Sequence, residues 1–455
     1  MNTTHILHLY NRIGFGIIPK ELNKLQHKEK HQIVDDLFSS STHFSPLEID
    51  VNFLTKLSKT ERKSKKRELI KKSRKKIREY NLAWLNRLFN PTELLREKMT
   101  LFWANHFVCE DKNILYVQRY NNTLRKHALG NFGDFVKAIS KEPAMLKYLN
   151  NKQNKKKNPN ENFARELMEL FMLGQGNYTE TDIKESAKAF TGYNHNFNGK
   201  FIIRPRHHNT SEKLFFGQQG NFNGDDIIDI ILEQKQCARF ICEKIYQYFV
   251  NDTINKEHIN EMTTVFYGNY NIEKLMKHML LSDWFYASEN IGTKIKSPIE
   301  FLVGMNTIVP YKMEKPKQSM LLQKLLGQIL LNPPNVAGWK GGKSWIDSNT
   351  IVTRLRLPSV LLNNAEIHYS DKGDFEDSNT NFSEKKLRKK AFIKTITNWD
   401  VFNKNYKGLT NKELISNILV SPISIGTKNV LNVASNIPQK EFCVQLLSLP
   451  EYQLC

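Results

Sequence analysis

Long apolar runs are missing from these 455 residues. No stretch approaches the ~18 apolar residues that span a bilayer, so no transmembrane segment is expected. The opening Met1-Asn-Thr-Thr-His-Ile-Leu-His-Leu-Tyr10 has neither the basic start nor the apolar block of a secretion signal, which gives a cytoplasmic expectation. Cysteine is scarce: Cys109, Cys237, Cys242, Cys443 and Cys455 form an odd set without CxxC spacing. Free thiols in a reducing compartment follow, rather than a disulfide framework or a zinc site. Only 21 glycines and 15 prolines interrupt the chain, while 40% hydrophobic and 11% aromatic residues supply a sizeable core, so disorder as the main state is excluded. At roughly 150 residues per domain, one large or two moderate domains fit the length. Walker A, GxGxxG, HExxH and GxSxG motifs are all lacking.

What is present in excess is positive charge. The net +21 is concentrated, because Lys56–Arg78 holds 13 basic and two acidic residues and Lys152–Lys157 adds four lysines. The basicity therefore belongs to two segments rather than to the whole surface. Ile70, Ile77, Trp84 and Leu88 recur at helical spacing, which puts the Lys and Arg side chains on the outer face of an amphipathic helix. That face is either simply solvated or meets an anionic polymer or membrane surface. Nucleic acid is disfavoured as partner, since no zinc finger, helix-turn-helix or RNA-binding aromatic motif accompanies it.

Helical periodicity dominates the remainder and predicts a mainly α fold. Asn90-Pro91-Thr92-Glu93 and Asn158-Pro159-Asn160-Glu161 each read as a helix start, with a capping side chain, a proline preset for the first turn and a glutamate facing the free amides. Thr179-Glu-Thr-Asp182 is a third capping signal, following a Gly174-Gln-Gly176 stop. Asn198-Gly199 between apolar runs predicts one β-hairpin with a type I′ turn. Further helices are expected at 226–234, 236–250, 256–267, 271–282, 297–309, 316–331 and 348–361. Residues 364–384 lose the pattern and read as a linker, dividing a main helical domain over 1–363 from a C-terminal helical subdomain over 385–455.

Four places could carry chemistry. His106 falls on the apolar stripe of Leu95, Met99 and Phe102, so it is either a satisfied core histidine or a ligand or proton carrier. Glu161, Arg165 and Glu169 recur at i, i+4 and i+8, and Glu166 flanks them. They form either an ion-pair ladder or a carboxylate site for a divalent metal or for acid and base work. Arg204, His207, His208, Arg206 and Lys213 share a polar loop suited to an anion or a metal. Pro333-Pro-Asn-Val-Ala-Gly-Trp339 and Trp345 either present aromatic faces for stacking on a sugar or plug the core. Arg204, Arg206, Lys213, Trp339 and Arg354 are the expected substrate-binding set, and His106, Arg165, Glu166 and His208 the expected catalytic set.

Together, Arg12-Ile-Gly-Phe-Gly16, Leu95-Arg-Glu-Lys-Met-Thr-Leu-Phe-Trp103, Asn105-His106-Phe107, Asn160-Glu-Asn-Phe-Ala-Arg-Glu166, Thr191-Gly192, Lys296-Ser-Pro298 and Pro333 to Trp339 resemble the bacterial domain-of-unknown-function-1800 family. The ending Leu449-Pro-Glu-Tyr-Gln-Leu-Cys455 is similar to members from the Bacteroidetes. The resemblance brings no established activity. It implies a neighbour of sulfatase-like or phosphatase-like type and work on an anionic envelope or extracellular polymer, and since some members carry export signals it leaves a periplasmic or exported location open. Ala104, Asn150 and Asn209 stand where the family pattern has His, Asp and Asp. The expectation is a hydrolase acting on an anionic polymer through a carboxylate and histidine site, with a divalent metal as possible cofactor. The alternative is a binding or assembly partner of a sulfatase-like protein, or a polyanion binder.

Overall fold

Helices at Gly224–Leu232, Lys235–Phe249, Lys256–Phe266, Ile272–Leu281, Pro298–Ile308, Pro316–Leu326 and Ser348–Leu362 stand where apolar periodicity predicts them. The computed structural model describes residues 1–196, 198–313, 315–363, 366–369, 375–376 and 391–455. Its class is mainly α, with small antiparallel sheets. No helix among the described residues is long and apolar enough to cross a membrane. All five cysteines are buried free thiols.

Two helix starts differ from expectation. Asn90 terminates the helix Lys66–Phe89, and the next helix, Leu94–His106, begins behind Glu93. Asn158 likewise closes a turn, its N–H bonding the Lys155 carbonyl at 2.9 Å, and the next helix starts at Asn162 behind Glu161. Neither Asn90 nor Asn158 caps the helix that follows it. The third signal forms as expected: Thr179 and Asp182 exchange side-chain bonds at 3.1 and 2.8 Å in a capping box.

The predicted hairpin pairs Tyr193–His195 with Phe201–Ile203. Its loop is longer than a two-residue type I′ turn, because Asn196 N–H bonds the Lys200 carbonyl and Gly199, at φ +80°, closes onto Asn196. A second hairpin, Lys213–Phe215 with Gln218–Gly220, turns through Phe216 and Gly217 at φ +46° and +77°. A bulky residue in the left-handed region is no sequence signal for a turn, which is why pattern alone predicts one hairpin. A four-stranded sheet takes Tyr311–Met313, Ala391–Thr397, Glu366–Tyr369 and Phe375–Glu376 in that spatial order. Two of these strands fall inside the span expected as a linker; the rest of 364–384, and the start of the expected C-terminal subdomain at 385–390, lie outside the described residues.

Two apolar cores organise the helices. One gathers Ile6, Trp103, Phe132, Phe171, Ile241 and Phe285; the other gathers Trp84, Phe301, Leu322, Leu361, Phe402 and Phe442. The helices after residue 398 thus share a core with those of the expected main domain. The chain end is also tied in, because Ile295 and Leu454 form a bridge and Lys296 N–H bonds the Gln453 carbonyl at 2.8 Å.

The helix Leu94–His106 lies between the cores, with Leu94 and Ala104 packed against both. Its charges are unusual for their burial. Glu97 and Arg125, both fully buried, meet at 2.6 and 3.2 Å, and Trp84 and Arg87 donate to the same carboxylate at 3.3 and 3.4 Å. Arg96 donates to the carbonyls of Ser41 and Arg125. A charge removed from water must be met by such bonds, and these make the helix a rigid strut.

Candidate functional site

The strut ends at a cleft. Leu101, Phe102, Asn105 and His106 of Leu94–His106 form one wall, Lys244, Gln247, Tyr248 and Asp252 a second, and the segment from Lys294 to Glu300 a third. The loop carrying Val336, Trp339, Lys340, Gly341, Gly342, Lys343 and Trp345 closes the fourth side, leaving a cavity of about 550 Å³. That volume suits a ligand of small-molecule size.

Asn105 positions the loop. Its Nδ2 donates to the Trp339 carbonyl at 3.0 Å and its Oδ1 accepts from the Trp339 N–H at 2.8 Å. Close approach requires glycine at 338: φ is +74°, and a Cβ there would come within 2.3 Å of Asn105 Oδ1. Gly342 similarly leaves room for Asp252, whose Oδ2 would lie 2.9 Å from an added Cβ. Trp339 is half-buried and Trp345 buried, so Trp339 keeps part of its face available to the cavity.

The charges of the cleft are unequal in freedom. Asp252 is paired with Lys294, which also donates to the Gln247 carbonyl at 2.6 Å. Glu300 is paired with Lys98 and accepts the Ser297 N–H at 2.7 Å. Burial would raise the Glu300 pKa, but the Lys98 charge and these bonds outweigh it and hold the carboxyl below its usual range. Lys244, Lys340 and Lys343 have no ion pair among the described residues, and all three are exposed at the mouth. Desolvation lowers the Lys244 pKa from its ordinary value.

His106 is fixed in one tautomer. Its Nε2 lies 3.0 Å from the Phe171 carbonyl, which can only accept, so the proton sits on Nε2 and Nδ1 remains an acceptor. Burial, reinforced by the Lys244 charge, lowers its pKa to about 3, and the ring stays neutral at ordinary pH. The Phe171 carbonyl belongs to a π-helical turn, Leu167–Met172, in which Leu173 and Gly174 both bond back to Met168. Such widened turns leave carbonyls for outside donors.

The same turn changes the expected carboxylate ladder. Arg165 lies 3.5 Å from Glu161, as its spacing predicts, but its two strong bonds, 2.8 and 2.9 Å, go to Glu180. Glu169 makes no ion pair with Arg165 among the described residues and instead accepts from the Tyr178 hydroxyl at 2.8 Å. Glu166 is half-buried; burial first, then the Glu169 charge, raises its pKa against the opposing effect of Arg165. None of these four residues lines the cleft. With Glu161 and Glu169 already engaged, the set does not fit a metal site, and no group of three or more His, Cys, Asp or Glu close enough to hold an ion occurs among the described residues.

His208 donates from Nδ1 to the Thr191 carbonyl at 2.7 Å, and neither hydrogen bond nor ion pair joins it to His106 or Glu166. Arg204 and Arg206 are exposed beside the hairpin. Lys213 is buried and donates to the carbonyls of Ser211 and Asn209 at 2.8 and 3.3 Å, which closes its own loop. Arg354 is fully buried, donating to Gln453 Oε1 at 2.9 Å and to the Lys296 carbonyl at 2.5 Å. Of the residues singled out from the sequence as candidates for chemistry or stacking, His106, Trp339 and Trp345 line the cleft. Lys244, Asp252, Lys294, Glu300, Lys340 and Lys343 were missed; the signal for two of them was the Lys340-Gly-Gly-Lys343 run beside Trp339.

Two of the three departures from the family pattern have a structural reading. Asn150 occupies the left-handed region at φ +58°, and Asn209 Oδ1 accepts from the Ser211 N–H at 2.8 Å. Asn and Asp serve both roles alike. Ala104 packs between the two cores.

The profile of a family described as protein of unknown function (DUF1800) matches residues 8–454. Comparison with curated proteins and with solved structures returned no match.

Proposed function

Starting from a chain that belongs to the DUF1800 family, which brings no activity with it, we propose that the protein recognises an anionic, hydroxyl-bearing ligand of the acidic glycan class in the cleft beside Trp339. The observation that carries this is the imbalance of the walls. Both carboxylates, Asp252 and Glu300, are already neutralised by Lys294 and Lys98, while Lys244, Lys340 and Lys343 face the mouth without ion pairs among the described residues. An arriving sulfate or carboxylate meets uncompensated positive charge at the exposed mouth, an attraction that salt screens. Trp339 offers the apolar face on which a sugar ring stacks, and His106 Nδ1 and Gln247 supply polar groups to fix its orientation. The sulfatase-like neighbour implied by the family resemblance would work on the same kind of polymer.

Calorimetric titration with a sulfated heparin disaccharide tests this. Wild type should bind it with an affinity that falls as salt rises and should bind the desulfated disaccharide, which keeps only its carboxylate, more weakly, while the Lys244→Gln, Lys340→Gln, Lys343→Gln triple variant should lose at least about tenfold, or ~1.4 kcal/mol. Equal binding of both sugars, or no change in the triple variant, would contradict it.

A hydrolytic reading has one observation in its favour: His106 Nδ1 is an acceptor on the cleft wall. A base with its pKa lowered to about 3 takes protons poorly, and among the described residues no unpaired carboxylate and no second imidazole lines the cavity. Release of sulfate or of new reducing ends that stops in His106→Ala would establish this reading over pure recognition.

A further inference from the structure

A second concave surface lies apart from the cleft residues. The helices Lys66–Phe89 and Pro316–Leu326 are pinned side by side by Asn81 and Gln323, whose carboxamides exchange bonds at 3.0 and 2.7 Å, and Asn81 also donates to the Leu330 carbonyl at 2.9 Å. All of these groups are buried, so the spacing of the two helices is set by a satisfied polar lock. Between their solvent-facing ends runs a groove of about 590 Å³ lined by Lys71, Lys72, Lys75, Arg78, Lys315 and Lys317, with Glu68 and Glu79 as the acidic members. Glu79 is taken up by Lys76 at 2.7 Å. Lys71, Lys75 and Lys317 are exposed and have no ion pair among the described residues.

We propose that this groove docks a thin linear polyanion, a sulfated or carboxylated glycan chain. Lys71, Lys75 and Arg78 follow one another at four and three residues, so they present about one cation per helical turn, every ~5 Å. The walls are preorganised by the Asn81–Gln323 lock, which reduces the ordering cost of binding. A lipid surface is the poorer fit, because the site is concave and no exposed large hydrophobic side chain occurs in 66–89 or 316–326 to enter a bilayer. Single-stranded nucleic acid needs aromatic platforms, and no aromatic side chain lines the groove among the described residues; the Phe53 ring is covered by the Lys72 ammonium at 4.6 Å from its centroid.

This site is independent of the cleft reading, and the test separates the two. Wild type and a Lys71→Glu, Lys75→Glu, Lys317→Glu variant are titrated with long heparin, a heparin disaccharide, polyphosphate, duplex DNA and vesicles of phosphatidylserine with phosphatidylcholine. The variant should lose at least about tenfold for long heparin, with the log-affinity against log-salt slope shallower by roughly three, while disaccharide binding and the thermal midpoint stay unchanged. Unchanged heparin affinity would overturn the proposal. So would wild-type binding of DNA, vesicles or polyphosphate as tight as that of heparin.

Discussion

Asn105 holds the backbone of Trp339 at both ends, donating to its carbonyl at 3.0 Å and accepting from its N–H at 2.8 Å across 234 positions of sequence. The carboxamide stands in for a strand partner, so the loop from Pro333 to Trp345 is fastened to the strut that carries His106.

Asn105→Ala should free this loop. Trypsin should then cut after Lys340 and Lys343 at least several-fold faster than in wild type, while the global unfolding midpoint moves little. Gly338→Ala should do the same, since its Cβ collides with Asn105 Oδ1 and its φ of +74° disfavours any side chain. Unaltered cleavage in both variants would show that the loop is held by something else.

Breaking the buried pair under the strut should act on the whole fold. Arg125→Met leaves Glu97 buried with its main cation gone, a loss of about 3–5 kcal/mol in urea unfolding. Replacing Glu97 and Arg125 together by Gln and Met should recover part of it. A single-variant loss below about 1 kcal/mol would mean that Arg87 and Trp84 suffice to satisfy the carboxylate.

Protonation of His106 should oppose folding. Its pKa is lowered to about 3 in the fold against about 6.5 unfolded. Between those values the unfolded chain binds the extra proton, so stability falls as pH drops from about 6.5 towards 3, by at most ~1.4 kcal/mol per unit from this group. His106→Gln should flatten that part of the stability profile. An unchanged slope would place the His106 proton affinity near that of the unfolded chain.

Arg354 should behave as an anchor rather than a ligand group. Arg354→Lys retains charge but not the two directed bonds to Gln453 and the Lys296 carbonyl, so unfolding should shift by about 2 kcal/mol or more while disaccharide affinity at the cleft is preserved.

Legibility from sequence followed the range of the forces. Seven helices between residues 224 and 362 were readable because burial of one face imposes its period on neighbouring residues, and Thr179 with Asp182 because a capping box is local. Asn90 and Asn158 misled because Asn-Pro before an apolar period marks a turn as readily as a helix start, and only tertiary context decides. The Arg165 ladder assumed uniform α geometry, whereas Leu167–Met172 is a π turn and Glu169 bonds Tyr178. His106 and Trp339 were legible as unusual residues, yet their meeting through Asn105 was not. Lys244 and Lys294 carry no local signature, since what distinguishes them is which carboxylate the fold places beside one and not the other.

The central claim is that the cleft beside Trp339 is the ligand site. Amide hydrogen exchange with and without the sulfated heparin disaccharide tests it most directly. The account predicts slowed exchange confined to 101–106, 336–346, 244–252 and 294–300, with 66–79 and 315–326 unaffected by so short a ligand. Protection elsewhere, or none at saturating sugar, would contradict it.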